Sequence, residues 1–289
     1  MSGNFLIAPA IMTGLGLFFS VILTVAYRFL RVDEDPRIAA TEALLPGTNC
    51  GACGQPGCRV FAEQLVAGKV QPSQCTVSSA ADIEAVAELL NVDPGRQLKR
   101  VARLHCAGGH GQAYQIAEYR GFESCLAASV VSGGGKGCSW GCLGLADCRE
   151  SCTFDAIAMN RNGLPVVDVE RCTACGDCVD ACPRDLFELL PLEHRLLVQC
   201  SAPLAGEMAR NLCRTACDAC GKCAADAASG LIRMVENLPV IDYSAGGPAL
   251  PEATYRCPTG AIQWVEGAQF TDQEARVARN ERRHAQPGQ

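Results

Sequence analysis

Apolar and polar positions change their period along the chain. Residues 5–27, FLIAPAIMTGLGLFFSVILTVAY, form an unbroken uncharged run, and about 20 apolar residues suffice to cross a bilayer as one helix. The run is polar on neither face and stands at the start of the chain, which favours a membrane anchor over a buried core helix. Farther on, the period is helical. Residues 79–91 set Ile83, Val86, Ala87 and Leu90 on one stripe closed by Pro94 and Gly95, and residues 59–67 predict a shorter helix stopped at Gly68. From residue 138 the chain repeats itself. LPVVD at 164–168 returns as LPVID at 238–242, and Cys182-Pro183 returns as Cys257-Pro258, an offset of about 75 residues. The pattern predicts an α+β chain: one N-terminal transmembrane helix, a small α-rich domain, and two copies of one unit made of short strands and helices.

Charge fixes the orientation. No Lys or Arg precedes Arg28, so the positive flank of a cleaved signal peptide is missing, while Arg28, Arg31 and Arg37 follow the run. The positive-inside rule then places the remainder on the cytoplasmic side of an inner, cytoplasmic membrane, as a single-pass protein. DEDPR at 33–37 reads as a short linker in which Pro36 stops the membrane helix. The expected division is an anchor at 1–32, a four-cysteine domain at 33–97 and a Gly-rich connection at 98–137. Two modules follow at 138–195 and 196–265, and then a charged tail at 266–289. Within the connection, GGGKG at 133–137 lacks the spacing of a phosphate loop and reads as a flexible turn.

Composition turns the reading toward metal. Of 289 residues 20 are cysteine, aromatic residues make up only 6%, and Gly (29) and Pro (15) are plentiful, so cores must be organised around something other than large side chains. A net charge of −6 leaves no basic face for nucleic acid. Thiols on the cytoplasmic side stay reduced, so the cysteines read as metal ligands instead of disulfides.

Their spacing names the metal. Cys172, Cys175, Cys178 and Cys182 spell C-x-x-C-x-x-C-x-x-x-C-P. Three closely spaced thiolates reach three irons of one cube from a single loop, and the fourth Cys, displaced by a helical turn, ligates the neighbouring cube. Zinc prefers two separated C-x-x-C knuckles. The partner loop carries Cys138, Cys142, Cys148 and Cys152, with Thr153 where Pro usually follows. Exchange of fourth ligands assigns Cys138, Cys142, Cys148 and Cys182 to one [4Fe–4S] cluster and Cys152, Cys172, Cys175 and Cys178 to another. In the second copy Cys217, Cys220, Cys223 and Cys257 survive, whereas Ala227, Gly246, Ala249 and Glu252 stand where the other cluster's ligands would be. One cluster is lost as a unit. The first group, Cys50, Cys53, Cys58 and Cys75 around the 59–67 helix, suits an iron–sulfur cluster or zinc. About four clusters per chain result. Cys106, Cys125, Cys200 and Cys213 remain and read as small buried hydrophobes, with Cys213 a competing ligand because it lies close before Cys217.

The anchor, TNCGACGQPGC with Cys75, KGCSWGCLGLADCRESCTFDAI, ERCTACGDCVDACPRDL and RCPTGAI come in this order over nearly the whole chain. The chain thereby resembles the B-subunit family of the Rnf ion-translocating ferredoxin:NAD oxidoreductase complex, in a long form with an extra, partly degenerate ferredoxin-like module. The resemblance implies that the first cysteine group also holds a [4Fe–4S] cluster. It further implies that soluble ferredoxin donates electrons at the cytoplasmic face. Other membrane and peripheral subunits of the complex would reduce NAD while moving sodium ions or protons outward. No catalytic residues and no cofactor beyond the clusters are expected. Enzyme status belongs to the complex. Lys136, Arg171 and Arg184 flank cluster motifs and could meet an acidic ferredoxin, although each reads first as an ordinary solvated side chain. The rival readings are a polyferredoxin subunit of another membrane-bound dehydrogenase or reductase, an iron–sulfur redox sensor, and a structural zinc protein.

Overall fold

The uncharged N-terminal run forms one helix, α1 (Ile7–Leu30), in the computed structural model, which describes residues 7–30, 35–96, 98–244 and 247–271. Its stretch Ile11–Phe29 is long and apolar enough to cross a membrane and is not buried against the rest of the chain. Arg31, part of the 33–37 linker, Gly246 and the end of the charged tail lie outside the described residues.

The small domain follows its sequence signals closely. Helix α2 (Pro36–Leu44) begins with Pro at its first turn, where a missing N–H leaves nothing unpaired, and the Asp35 carboxylate accepts from the Arg37 N–H at 2.9 Å. Helix α3 (Cys58–Val66) is followed by Gly68 in the left-handed region. Helix α4 (Ala80–Leu90) opens on a reciprocal capping box between Ser79 and Asp82 and ends at left-handed Asn91, ahead of Pro94 and Gly95. Its buried stripe, Ile83, Val86 and Ala87, is the expected one. Phe61 and Leu65 of α3, Val86 of α4 and Cys75 form the core.

The remainder consists of two units with one topology. Strand β1 (Arg100–Leu104) pairs antiparallel with β4 (Phe187–Pro191), enclosing the hairpin β2 (Ile157–Met159) and β3 (Pro165–Val167). In the second unit β5 (Leu196–Val198) pairs with β8 (Ile262–Trp264) around the hairpin β6 (Ile232–Val235) and β7 (Leu238–Ile241). Thus the Gly-rich stretch at 98–137, read as a connection, contributes the first unit's outer strand. It also carries α5 (Cys125–Val130). Helices α6 (Asp147–Glu150) and α7 (Asp177–Asp180) follow in the first unit, with α8 (Gly206–Leu212) and α9 (Lys222–Asp226) in the second.

One turn occurs four times, at 152–155, 182–185, 227–230 and 257–260. Its last residue is always left-handed: Asp155 (φ 47°), Asp185 (φ 50°), Gly230 (φ 83°) and Gly260 (φ 70°). Gly and Asp are among the residues that tolerate this region best. The next residue, Ala156, Leu186, Leu231 or Ala261, is buried each time. The third copy begins with Ala227 instead of cysteine, so the backbone of the repeat persists without the ligand.

Candidate metal centres

Two small cavities gather cysteines from the two units. One is bordered by Cys152, Cys172, Cys175 and Cys178. The other is bordered by Cys217, Cys220, Cys223 and Cys257. The chain builds both in the same way. Left-handed Ala174 (φ 56°) and Ala219 (φ 60°) turn each C-x-A-C loop so that its first two thiols face the cavity, and Cys178 and Cys223 sit buried in the short helices α7 and α9. The fourth thiol arrives on the recurring turn. There the Ala156 N–H donates to Cys152 Sγ at 3.3 Å, and the Leu186 N–H donates to Cys182 Sγ at 3.5 Å. Such donors stabilise thiolate charge and tune a cluster's potential. Among the described residues no three Cys, His, Asp or Glu side chains converge on a single-ion point; the thiols instead stand apart around cavities. Four soft sulfur ligands spread around one cavity fit a [4Fe–4S] cluster. Thr153 takes up the place of the usual Pro by donating its hydroxyl to Asp177 at the start of α7, 3.1 Å away.

In the small domain Cys53 interacts electrostatically with Cys50 and Cys75. The Cys58 N–H donates to Asn49 Oδ1 at 2.8 Å, and Ser78 Oγ donates to Cys75 Sγ at 3.1 Å, so both ends of this group are held.

The remaining predicted group divides. Cys142 and Cys148 interact with each other, and Cys148 with Cys182. Cys138 stands elsewhere: it borders a third small cavity together with Cys106, Cys200 and Cys213. Lys136 is not a solvated side chain either. It is 7% exposed and its ammonium points into that cavity's wall, so GGGKG is an ordered loop with Gly133, Gly134 and Gly135 all left-handed. Gly135 has no alternative, since a Cβ there would lie 2.2 Å from the Ala117 carbonyl oxygen. Arg171, by contrast, is exposed and faces Asp155 at 3.7 Å. In the second unit two of the vacated ligand positions are packed: Ala227 and Ala249 lie against a core of Leu231, Ile232 and buried Ala253, while Glu252 is exposed.

Burial sets the thiol chemistry. It pushes Cys148 and Cys178 up to about 12, and Cys217 and Cys223 up to about 11, with neighbouring thiols adding to the effect. These groups are therefore protonated at neutral pH in the metal-free chain, and a metal must displace their protons. Anaerobic reconstitution at limiting iron is expected to weaken as pH falls from about 8 to about 6, by up to roughly four powers of ten per pH unit and cluster from thiol protons alone. Iron uptake followed across that range checks this; a flat profile would show that thiolates are not the ligands.

Two family models match the chain. Residues 45–77 match "Putative Fe-S cluster" and residues 165–188 match "4Fe-4S binding domain". The B subunit of the Na(+)-translocating ferredoxin:NAD(+) oxidoreductase complex of Acetobacterium woodii is 40% identical over 260 residues, covering 90% of this chain and 78% of its own length. The B subunit of the proton-translocating ferredoxin:NAD(+) oxidoreductase complex of Clostridium ljungdahlii is 36% identical over 92% of this chain and 94% of its own. The B subunit of the ion-translocating oxidoreductase complex of Methanosarcina acetivorans is 33% identical over 91% and 99%.

Proposed function

The chain belongs to the B-subunit family of ion-translocating ferredoxin:NAD(+) oxidoreductase complexes, and from that membership we propose that it carries electrons from reduced ferredoxin to the other subunits at the cytoplasmic face of the membrane. The observation that carries this reading is the pair of four-thiol cavities in two units of one topology. When bound, an iron–sulfur cluster supplies reversible one-electron exchange with little rearrangement.

The chain's own residues do the rest. Thiols of Cys50, Cys53, Cys58 and Cys75 hold one cluster, Cys152, Cys172, Cys175 and Cys178 a second, and Cys217, Cys220, Cys223 and Cys257 a third. Cys142, Cys148 and Cys182 serve a further one. Leu164, Leu186 and Phe187 in the first unit, and Leu231 and Ile262 in the second, pack against these thiols and keep water away. Helix α1 tethers the chain to the membrane, and Arg28, Arg31 and Arg37 favour placing the cysteine-bearing part inside the cell. The ion moved, sodium or proton, belongs to the assembled complex.

Full-length protein purified without oxygen and mixed with reduced ferredoxin tests the proposal. Its visible absorbance is expected to bleach within the mixing experiment, with no NAD reduced until the other subunits are added. Absorbance that dithionite bleaches but ferredoxin does not would overturn ferredoxin as donor, and a colourless, zinc-loaded protein would overturn the relay.

A further inference from the structure

The third thiol cavity lies where the two units meet, and its four cysteines come from four separate places. Cys106 stands two residues after β1 and Cys200 two residues after β5, so they are equivalent positions of the repeat. Cys213 ends α8, and Cys138 follows the glycine loop. Hydrogen bonds fix these segments on one another: Ala107 N–H donates to the Gln199 carbonyl at 2.9 Å, Tyr114 N–H to Leu212 at 2.8 Å, Arg214 N–H to Gln112 at 2.9 Å, and Gly137 N–H to Tyr114 at 2.9 Å. Like the two already described, the cavity brings four cysteines together. Its walls are close-fitting. A Cβ on Gly108 would sit 3.0 Å from Cys213 Sγ and 3.7 Å from Cys106 Sγ, and one on Gly141 would sit 3.1 Å from Lys136 Cε and 3.5 Å from Cys138 Sγ.

Lys136 gives an independent sign of what belongs there. Its ammonium donates to the carbonyl oxygens of Gly108 and Cys142, and no carboxylate lines the cavity. A buried ammonium needs a counter-charge. Four neutral thiols offer none, whereas an iron–sulfur cluster with four thiolates is a net anion.

We propose that Cys106, Cys138, Cys200 and Cys213 hold a [4Fe–4S] cluster at the junction of the two units, and that Cys125 takes the place of Cys138 beside Cys142, Cys148 and Cys182. Cys125 is positioned for this. Asp147, the residue before Cys148, accepts from the N–H groups of Cys125 and Leu126 at 2.8 and 3.0 Å and from Ser124 Oγ at 3.0 Å, clamping the start of α5 onto α6. The Cys125 thiol interacts with those of Cys148 and Cys182. All 20 cysteines of the chain then fall into sets of four. The junction set also neighbours a set on either side: the Cys142 N–H donates to Cys106 Sγ at 3.3 Å, and Cys200 interacts electrostatically with Cys217. It joins the thiol sets of the two units into one path.

This inference rests on the iron–sulfur reading above, and the test separates the two. Iron and acid-labile sulfide are counted on full-length protein purified and reconstituted without oxygen, in the natural sequence and in Cys200→Ala and Cys125→Ala variants. The natural chain is expected to hold about 20 iron and 20 sulfide, four of each per cube, and each variant about 16 of each. About 16 in the natural chain, unchanged by Cys200→Ala, would overturn the junction cluster and leave the other clusters standing. Near-zero iron in the natural chain would overturn the iron–sulfur reading itself. The count on the natural chain decides the matter even if a variant fails to fold.

Discussion

Anaerobic removal of iron and sulfide is expected to unfold residues 100–265 instead of leaving a folded apoprotein. Among the described residues the eight strands are three to five residues long and occur only as two-stranded sheets, and such pairs are marginal in water unless something else packs on them. What packs on them here is sulfur. In the first unit Val101, Leu104, Ile157, Leu164 and Phe187 share their core with Cys148, Cys172 and Cys178, and in the second Leu196, Ile232 and Ile262 share theirs with Cys223. Emptying the clusters leaves these small cores without their centres, where the thiol-lined cavities lie. The ligand thiols around them would be free. For structural zinc, ligand binding contributes about 10–16 kcal/mol of folding free energy, and a domain's whole net stability is about 5–15 kcal/mol. A cluster on a comparable scale therefore decides whether its unit folds. Near-UV circular dichroism and limited proteolysis after chelation, followed by restoration of iron and sulfide, read the effect. An iron-free chain that keeps protease resistance and amide protection in β1 to β8 would refute it.

Much of this architecture is written in local sequence, because its causes are local. The α4 stripe of Ile83, Val86 and Ala87, the Ser79–Asp82 cap and the LPVVD/LPVID hairpin strands each depend on residues within a few positions of one another. Cysteine sets dominated by one loop, such as Cys172, Cys175 and Cys178 with Cys152, are legible for the same reason. The junction set is not. Cys106, Cys138, Cys200 and Cys213 reach one cavity only after two repeats dock, so no spacing records them. Two signals of it do stand in the sequence: four cysteines are left over, the ligand number of one cube, and Cys106 and Cys200 occupy matching places after the first strand of each repeat. Lys136 escapes a sequence reading because a lysine in a glycine run looks solvated, and only the loop's three left-handed glycines turn it inward. Arg103 on β1 is a second cation that sequence alone would leave in water; it is 1% exposed, with Nη1 donating to the Gly267 carbonyl at 2.7 Å.

Replacing Cys223 by alanine is expected to unfold the second unit while the first persists, removing the four iron of its own cube and, with Cys200 and Cys213 released, the four of the junction cube. The asymmetry follows from how the repeat lost a cluster. The first unit has two cysteine sets of its own around α6 and α7, whereas the second has one set of its own, with Ala227 and Ala249 packed at two positions of the other. The recurring turn at 227–230 keeps its usual form, with Gly230 at φ 83°, but supplies no metal bond. Apart from the junction set shared with the first unit, the strands β5 to β8 thus depend on Cys217, Cys220, Cys223 and Cys257. Cys223 is buried and anchors α9, so its loss takes away a ligand and opens the core at once. Hydrogen exchange should show β5 to β8 losing protection by orders of magnitude, with β2 and β3 little changed. The reverse substitution is a control of the same logic: Ala227→Cys is expected to add no iron, because the three other positions of that site bear no thiol. Equal loss of protection in both units would mean that the junction makes them one cooperative body. Unchanged protection in β5 to β8 would mean that side-chain packing alone holds the second unit.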